Sequence, residues 1–397
     1  MTDPTTLHSP SVLMLSTAVW DRPLWTNKQH LATRLHDHLG QLDYVNSLGL
    51  RRPSVTTADV LRALGKARSM VRRDRHRAGP PTPAGLRVLQ PIVVPYHRPG
   101  AVASLNRRLL ERTVAHWLSQ PPSARVLWTF SPVTYGLHDR AAATIYHCVD
   151  LLAEIPGYDR VAIAKGEQAL ARAGARAIAS SRAVAAHLES VGFRDVLLWE
   201  NVADVDLIEA HSPGQPREAD HVVFAGNLTP LKVDFELLAE LVTRIPRLHL
   251  ELAGPLAEGG GKGPPPGFID GHPRVHYHGT LSPVKMAELF GRCTVGLVPY
   301  RDNAYTSGVF PMKLFEYLAA GLAVVSTSLP SLPSMVHLEK CETTAGFIAA
   351  VDHHARCAPG DIVSERLATA RAHSWVRRGS EAHELILDEL HGVRSTI

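Results

Sequence analysis

Short apolar runs alternate with helical stretches along most of this chain, and the alternation begins afresh after residue 216. That alternation leaves few folds open, because strands separated by helices long enough to cross over pair in parallel. In the first half, residues 11–16, 42–46, 86–90, 125–130, 142–147, 175–179 and 196–199 read as strands. Between them 28–39, 60–71, 101–118, 160–172 and 183–190 carry helical spacing. The second half repeats the scheme, with strands at 221–225, 248–253, 275–277, 294–298 and 323–326 and helices at 234–244, 284–290 and 311–320. Residues 200–215, with Pro213 and Gly214, read as a linker, and 258–267 as a surface loop. The expected fold is α/β, two Rossmann-like doubly wound parallel-sheet domains facing a central cleft. Their bounds are 1–203 and 204–375. A helix at about 378–390 lies in a last segment, 376–397, that crosses back toward the first domain.

The most informative stretch is 307–327, which reads as a glycine turn, a helix and a buried strand. Pro311 suits a first helical turn, where its missing N–H costs nothing. Leu314, Phe315, Leu318 and Ala319 repeat at helical spacing, Gly321 ends the helix, and Ala323 to Ser326 follow as a strand. Such a helix directs free N–H groups toward the carboxyl edge of a sheet, where phosphate binds. Lys313 adds a charge in the first turn, and Glu316 offers a carboxylate to sugar hydroxyls. Only eight of the 42 cationic residues are lysines, so a lysine in this turn stands out against a chain that otherwise uses arginine.

Composition narrows the function classes. The hydrophobic share of 45% supports full cores, and no run approaches the roughly 20 apolar residues of a spanning helix. Met1 to Pro10 carries no basic-then-apolar leader pattern. Cysteines 148, 293, 341 and 357 lack metal or disulfide spacing, and His353-His354 near Cys357 fits no standard site, so no metal is expected and the chain reads as cytoplasmic. Residues 1–200 hold 25 Lys+Arg against 15 Asp+Glu, and the remainder 17 against 23. Within the basic half, Arg62 to Arg77 holds seven cations and one acid, a face suited to anionic lipid or a phosphate-bearing acceptor as well as to plain solvation. No aromatic interleaving accompanies it, so nucleic acid is not an expected partner. No G-x-G-x-x-G follows the first strand, which argues against nicotinamide or flavin chemistry.

Asn-Leu-Thr-Pro-Leu-Lys232 after Phe224-Ala-Gly226, together with Pro-x-Lys-Leu-Phe-Glu-Tyr at 311–317, resembles the GT-B glycosyltransferases, and within them the large retaining family that uses nucleotide sugars. The form of the second motif is similar to a branch of teichuronic-acid and cell-surface polysaccharide transferases. The resemblance covers both halves and is strongest in the second. It implies that Lys232 grips the donor diphosphate. Asn227 stands where the family usually has a second cation, and Lys313 is a candidate replacement. Glu316 matches the later of two family glutamates, whereas Gly308 occupies the place of the earlier one, so contacts to the donor sugar fall to the amides of Gly308, Val309 and Phe310. The strand–loop Gly279-Thr280-Leu281 is the candidate seat of the base. In the first half, the strand ending at His147 resembles one that carries an active-site histidine, with Asp150 as a candidate base.

The resemblance implies transfer of a hexose from a nucleotide-diphosphate sugar, with uridine diphosphate the carrier by family habit, with retention and without metal or other cofactor. The acceptor stays open, with an anionic or lipid-linked molecule suggested by the Arg62 to Arg77 charge and peripheral contact with a membrane through it. Two alternatives stay open as well: a sugar-nucleotide epimerase on the same fold, and a catalytically degenerate nucleotide-sugar binding protein.

Overall fold

The computed structural model describes residues 9–22, 25–50, 82–98, 100–155, 157–212, 217–257, 262–356 and 362–394. The expected helix at 60–71 and the Arg62 to Arg77 charge run lie outside the described residues. The chain divides into two compact units, Met1–Trp199 with Gly379–Ile397, and Glu200–Arg378.

The first unit is a parallel sheet of β1 (Ser11–Leu15), β2 (Leu42–Val45), β3 (Leu86–Leu89), β4 (Arg125–Thr129), β5 (Ala143–Cys148), β6 (Arg176–Ala179) and β7 (Leu197–Leu198), in the order 3-2-1-4-5-6-7. The central strands are continuous apolar runs because helices cover both faces: four of the five residues of β1 and all five of β4 are buried. The helices are α1 (Asn27–Leu39), α2 (Ala101–Thr113), α3 (Ala115–Ser119), α4 (Arg160–Arg172) and α5 (Arg182–Val191). Asp159 and Ser181 cap α4 and α5 by accepting from first-turn amides. The stretch expected as one helix over 101–118 breaks at Val114, whose ψ of 21° is not helical. Beyond the break, Trp117 is fully buried and its indole N–H donates to the Ser11 carbonyl at 2.9 Å.

The second unit is a parallel sheet of β8 (His221–Ala225), β9 (His249–Ala253), β10 (Val275–Tyr277), β11 (Val295–Val298), β12 (Ala323–Thr327) and β13 (Leu338–Cys341), in the order 10-9-8-11-12-13. Its helices are α6 (Val205–His211), α7 (Phe235–Arg244), α8 (Pro283–Arg292), α9 (Lys313–Ala319), α10 (Thr344–Arg356), α11 (Ile362–Arg371) and α12 (Trp375–Arg394), the last belonging to the first unit from Gly379 onward. The stretch read as a linker, 200–215, is not one: it carries α6, and Val205 and Ile208 are buried in the second unit's core. β13, α10 and α11 are elements that the sequence reading did not include.

Strand order reverses between β8 and β11, the kind of switch point beside which open parallel sheets bind ligands at their carboxyl edge.

Candidate functional site

The carboxyl edge of the second sheet is floored by glycines. β8 runs into Gly226 at φ +152°, β9 into Gly254 at φ +132°, and Gly279 follows β10 at φ +68°. The Gly226 amide donates to the Ala253 carbonyl and the Gly254 amide to the Gly279 carbonyl, both at 2.8 Å. A Cβ on Gly254 would lie 2.0 Å from the Gly226 carbonyl oxygen, so only glycine lets these turns approach so closely. A Cβ on Gly226 would lie 2.7 Å from Lys313 Cε and 3.1 Å from its Nζ. The bare end of β8 is therefore where the Lys313 side chain lies.

Lys313 is placed there by α9, which is shorter than expected. It begins at Lys313, not Pro311, and spans seven residues. A tight turn leads into it: the amides of Leu314 and Phe315 donate to the carbonyls of Pro311 and Met312 at 3.2 and 3.1 Å. These amides, expected to be free for an anion, are committed to the turn, and the charge at this end comes from side chains. The other end closes as expected, with Gly321 at φ +76°, its amide bonded to Leu318 and that of Leu322 to Tyr317, a paired C-terminal motif. Arg217 and Arg366 add guanidinium bonds to the carbonyls of Ala320 and Gly321, at 2.7 and 3.0 Å. In the middle, Tyr317 is buried over Gly296, and its hydroxyl accepts from the Ala225 amide at 3.0 Å, which fixes α9 to β8 and β11.

Lys232 comes from the loop after β8. Its Nζ lies 5.2 Å from the centre of the Tyr305 ring, a cation–π contact, with Tyr305 supplied by the loop after β11. Among the described residues, the ammonium groups of Lys232 and Lys313 and the carboxylate of Glu316 make no hydrogen bond or ion pair. Lys313 and Glu316 are both half-buried. Burial lowers the Lys313 pKa, opposed by the charge of Glu316 and reinforced by Lys232. Burial likewise raises that of Glu316, opposed by Lys313 and reinforced by Asp204. Two cations and one carboxylate thus share a partly desolvated edge of the sheet.

The other expected residues fall out unevenly. The Gly308 and Val309 amides, expected to face a sugar, donate instead to Tyr305 and Thr306 within a 3-10 turn over Thr306–Gly308, at 3.3 and 3.0 Å. The Val309 and Phe310 carbonyls accept from Ser331 Oγ and Asn201 Nδ2 at 2.6 and 2.8 Å, and both side chains are buried. Asn227 lies in the β8 loop, where its carbonyl accepts from the Thr229 amide. Gly279 and Leu281 are half-buried and Thr280 is exposed. Just before them, His278 shares a short hydrogen bond with Glu251, a buried carboxylate that also meets His221 Nδ1 at 2.8 Å. His147 and Asp150 belong to the first unit. His147 ends up 2% exposed, its ring stacked on Phe130 at 4.8 Å and edge-on to Trp128 and Trp199, so it is part of an aromatic cluster. Asp150 is half-buried beyond the end of β5. Sequence reasoning missed Asn303, Tyr305 and Glu251. Tyr305 and Asn303 lie only a few residues before the motif that was read, in a loop without periodicity.

Comparison with known proteins places this geometry. Residues 219–358 match the family of glycosyl transferases group 1. The chain is 28% identical over 232 residues to a Bacillus subtilis protein that carries the name of a teichuronic acid biosynthesis glycosyltransferase, TuaH. The match covers 55% of this chain and 56% of that protein, so the chain spans about half the length of the curated relative it matches. Among solved structures, Anabaena HepE in complex with UDP and glucose superposes with a TM-score of 0.60 at 13% identity, over 96% of this chain and 99% of that one. Sucrose-phosphate synthase from Thermosynechococcus elongatus superposes with a TM-score of 0.66 at 14% identity, over 96% and 100%.

Two Rossmann-like parallel-sheet domains in one chain, superposing on both proteins over nearly their full length, are the GT-B fold. Within that fold, residues 219–358 of the second domain match the group 1 glycosyl transferases.

Proposed function

We propose that this protein transfers a sugar from a nucleotide-diphosphate sugar to an acceptor, with the donor bound at the carboxyl edge of the second domain. The observation that carries this reading is the grouping of Lys232, Lys313 and Glu316, three charged groups that make no hydrogen bond or ion pair among the described residues, where strand order reverses. Two ammonium groups suit a diphosphate, and the charge that develops on it as the sugar–phosphate bond breaks is what they would stabilise. Glu316 is the group fitted to accept from ribose or sugar hydroxyls. UDP is the first carrier to test, because solved structures of HepE contain UDP and UDP-glucose.

Metal independence follows from the same chemistry, since two lysines supply the positive charge that a divalent ion would otherwise bring. Retention of configuration belongs to the family resemblance, as do a hexose as the transferred group and a contribution from His147 and Asp150 on the first domain. The acceptor is proposed as an anionic or lipid-linked molecule. No helix among the described residues is long and apolar enough to cross a membrane.

Calorimetric titration of the full chain with UDP and UDP-glucose in the presence of a chelator tests the reading. Binding of UDP that persists in chelator and weakens at least tenfold in Lys232→Ala is expected. Binding that appears only when magnesium or manganese is restored would refute metal independence, and equal affinity in parent and Lys232→Ala would remove the diphosphate from this edge.

A further inference from the structure

The loops after β8 and β11 stand on either side of the strand-order reversal, and one side chain joins them. Asn303 Nδ2 donates to the Leu231 carbonyl at 2.9 Å. Its Oδ1 accepts from the amides of Tyr305 and Thr306, each at 3.0 Å. Its own amide donates to Thr306 Oγ1 at 3.0 Å, and its carbonyl accepts from the Ser307 amide at 2.9 Å. Two neighbours run in parallel with this tie: the Arg301 amide donates to the Lys232 carbonyl at 2.7 Å, and Val233 forms a bridge with Tyr300. Leu231 and Lys232 are adjacent, and Tyr305 is the ring beneath the Lys232 ammonium.

We propose that Asn303 is a positioning residue for the donor diphosphate: it sets the place of the Lys232 ammonium from both sides at once. Through Leu231 it holds the backbone from which Lys232 springs. Through the Tyr305 amide it holds the ring on which the ammonium rests. A carboxamide is suited to the task because it carries a donor and an acceptor on one short, rigid side chain. Aspartate would keep the acceptor and lose the donor, and serine would keep a turn-forming oxygen but fall short of Leu231. Arg301, on the same loop, does not take over the role of the cation absent at Asn227. Its guanidinium faces Asp234 and Glu236 at 3.6 and 3.5 Å.

The inference rests on the donor reading above, and a double-mutant cycle separates the two. UDP and uridine affinities are measured by calorimetry for the full-length parent, Asn303→Ser, Lys232→Ala and the double variant. Loss of one hydrogen bond between neutral groups that orients a charged one should weaken UDP by about five- to tenfold in Asn303→Ser, with uridine unchanged. In the Lys232→Ala background the same substitution should leave UDP affinity where it was, because the ammonium it positions is gone. Asn303→Asp, which preserves the turn, is the control for folding. It should show the loss too, with a melting temperature close to that of the parent. Additive losses in the double variant, or equal losses for UDP and uridine, would overturn the proposal. A parent that binds no UDP would instead overturn the donor reading, and the proposal with it.

Discussion

Replacing Lys313 by methionine should weaken the ligand and strengthen the fold. The lysine stem passes over Gly226, where a Cβ would come within 2.7 Å of Cε, and methionine fills that stem's space with an unbranched apolar chain. What disappears is an ammonium that is half-buried and has no hydrogen bond or ion pair among the described residues. A charge-assisted bond to phosphate contributes about 1.5–3 kcal/mol, so UDP should bind roughly 12- to 150-fold more weakly. An unsatisfied buried polar group costs about 1–3 kcal/mol, and half-burial places this one near the lower limit. At a few degrees per kcal/mol, the variant's melting temperature should rise by about 2–4 °C.

The pH dependence has a definite sign. Burial lowers the Lys313 pKa in the folded state below its ordinary 10.5, so the unfolded chain holds that proton more tightly. The penalty on the fold is complete below the folded pKa and disappears above the ordinary one. The parent should therefore gain on the variant as pH climbs toward 10.5, and the margin between them should close. Thermal unfolding at neutral and alkaline pH, with calorimetry of UDP at neutral pH, measures both effects. A variant that melts lower than the parent at neutral pH would refute the reasoning, because the lysine would then be a structural cation and not one held ready for a ligand.

Two further outcomes follow from the second domain's packing. Gly296→Ala places a methyl group 2.3 Å from the buried Tyr317 ring, an overlap that should cost about 1–3 kcal/mol or more; denaturant unfolding measures it, and an unchanged midpoint would show that α9 shifts freely over β11. Burial alone would raise the Glu251 pKa, but hydrogen bonds with His278 and His221 outweigh it and hold it below the ordinary 4.5. Its stabilisation is thus present above pH 4.5 and lost as pH falls through the lower folded value, so Glu251→Gln should destabilise the protein at neutral pH and flatten its acid unfolding, whereas an acid transition identical to the parent's would exclude the carboxylate as a contributor.

Much of the architecture was legible in the order of residues because apolar periodicity is a local property. Most strands of the two sheets announce themselves as short apolar runs, and Gly321 marks the end of α9 through a conformation that glycine adopts most readily. Weakly patterned elements escaped. β13 is an edge strand without buried residues, and α6 hides in a stretch punctuated by proline and glycine.

The site divides along the same line. Lys232, Lys313 and Glu316 could be named from motif and residue type, since charge and chain length are carried by the residue itself. That Lys313 lies over Gly226, that the Leu314 and Phe315 amides of α9 are already bonded, that His147 is packed among aromatic rings, and that Asn303 joins the loop of Lys232 to that of Tyr305 were decided only by the fold. The places of Lys313, His147 and Asn303 depend on groups brought together from distant parts of the chain. Sequence alone determined which side chains could carry charge to a sheet edge, and tertiary structure decided which of them remain unpaired there, because hydrogen-bond partners are assigned by proximity in space and a linear chain does not specify proximity until it folds.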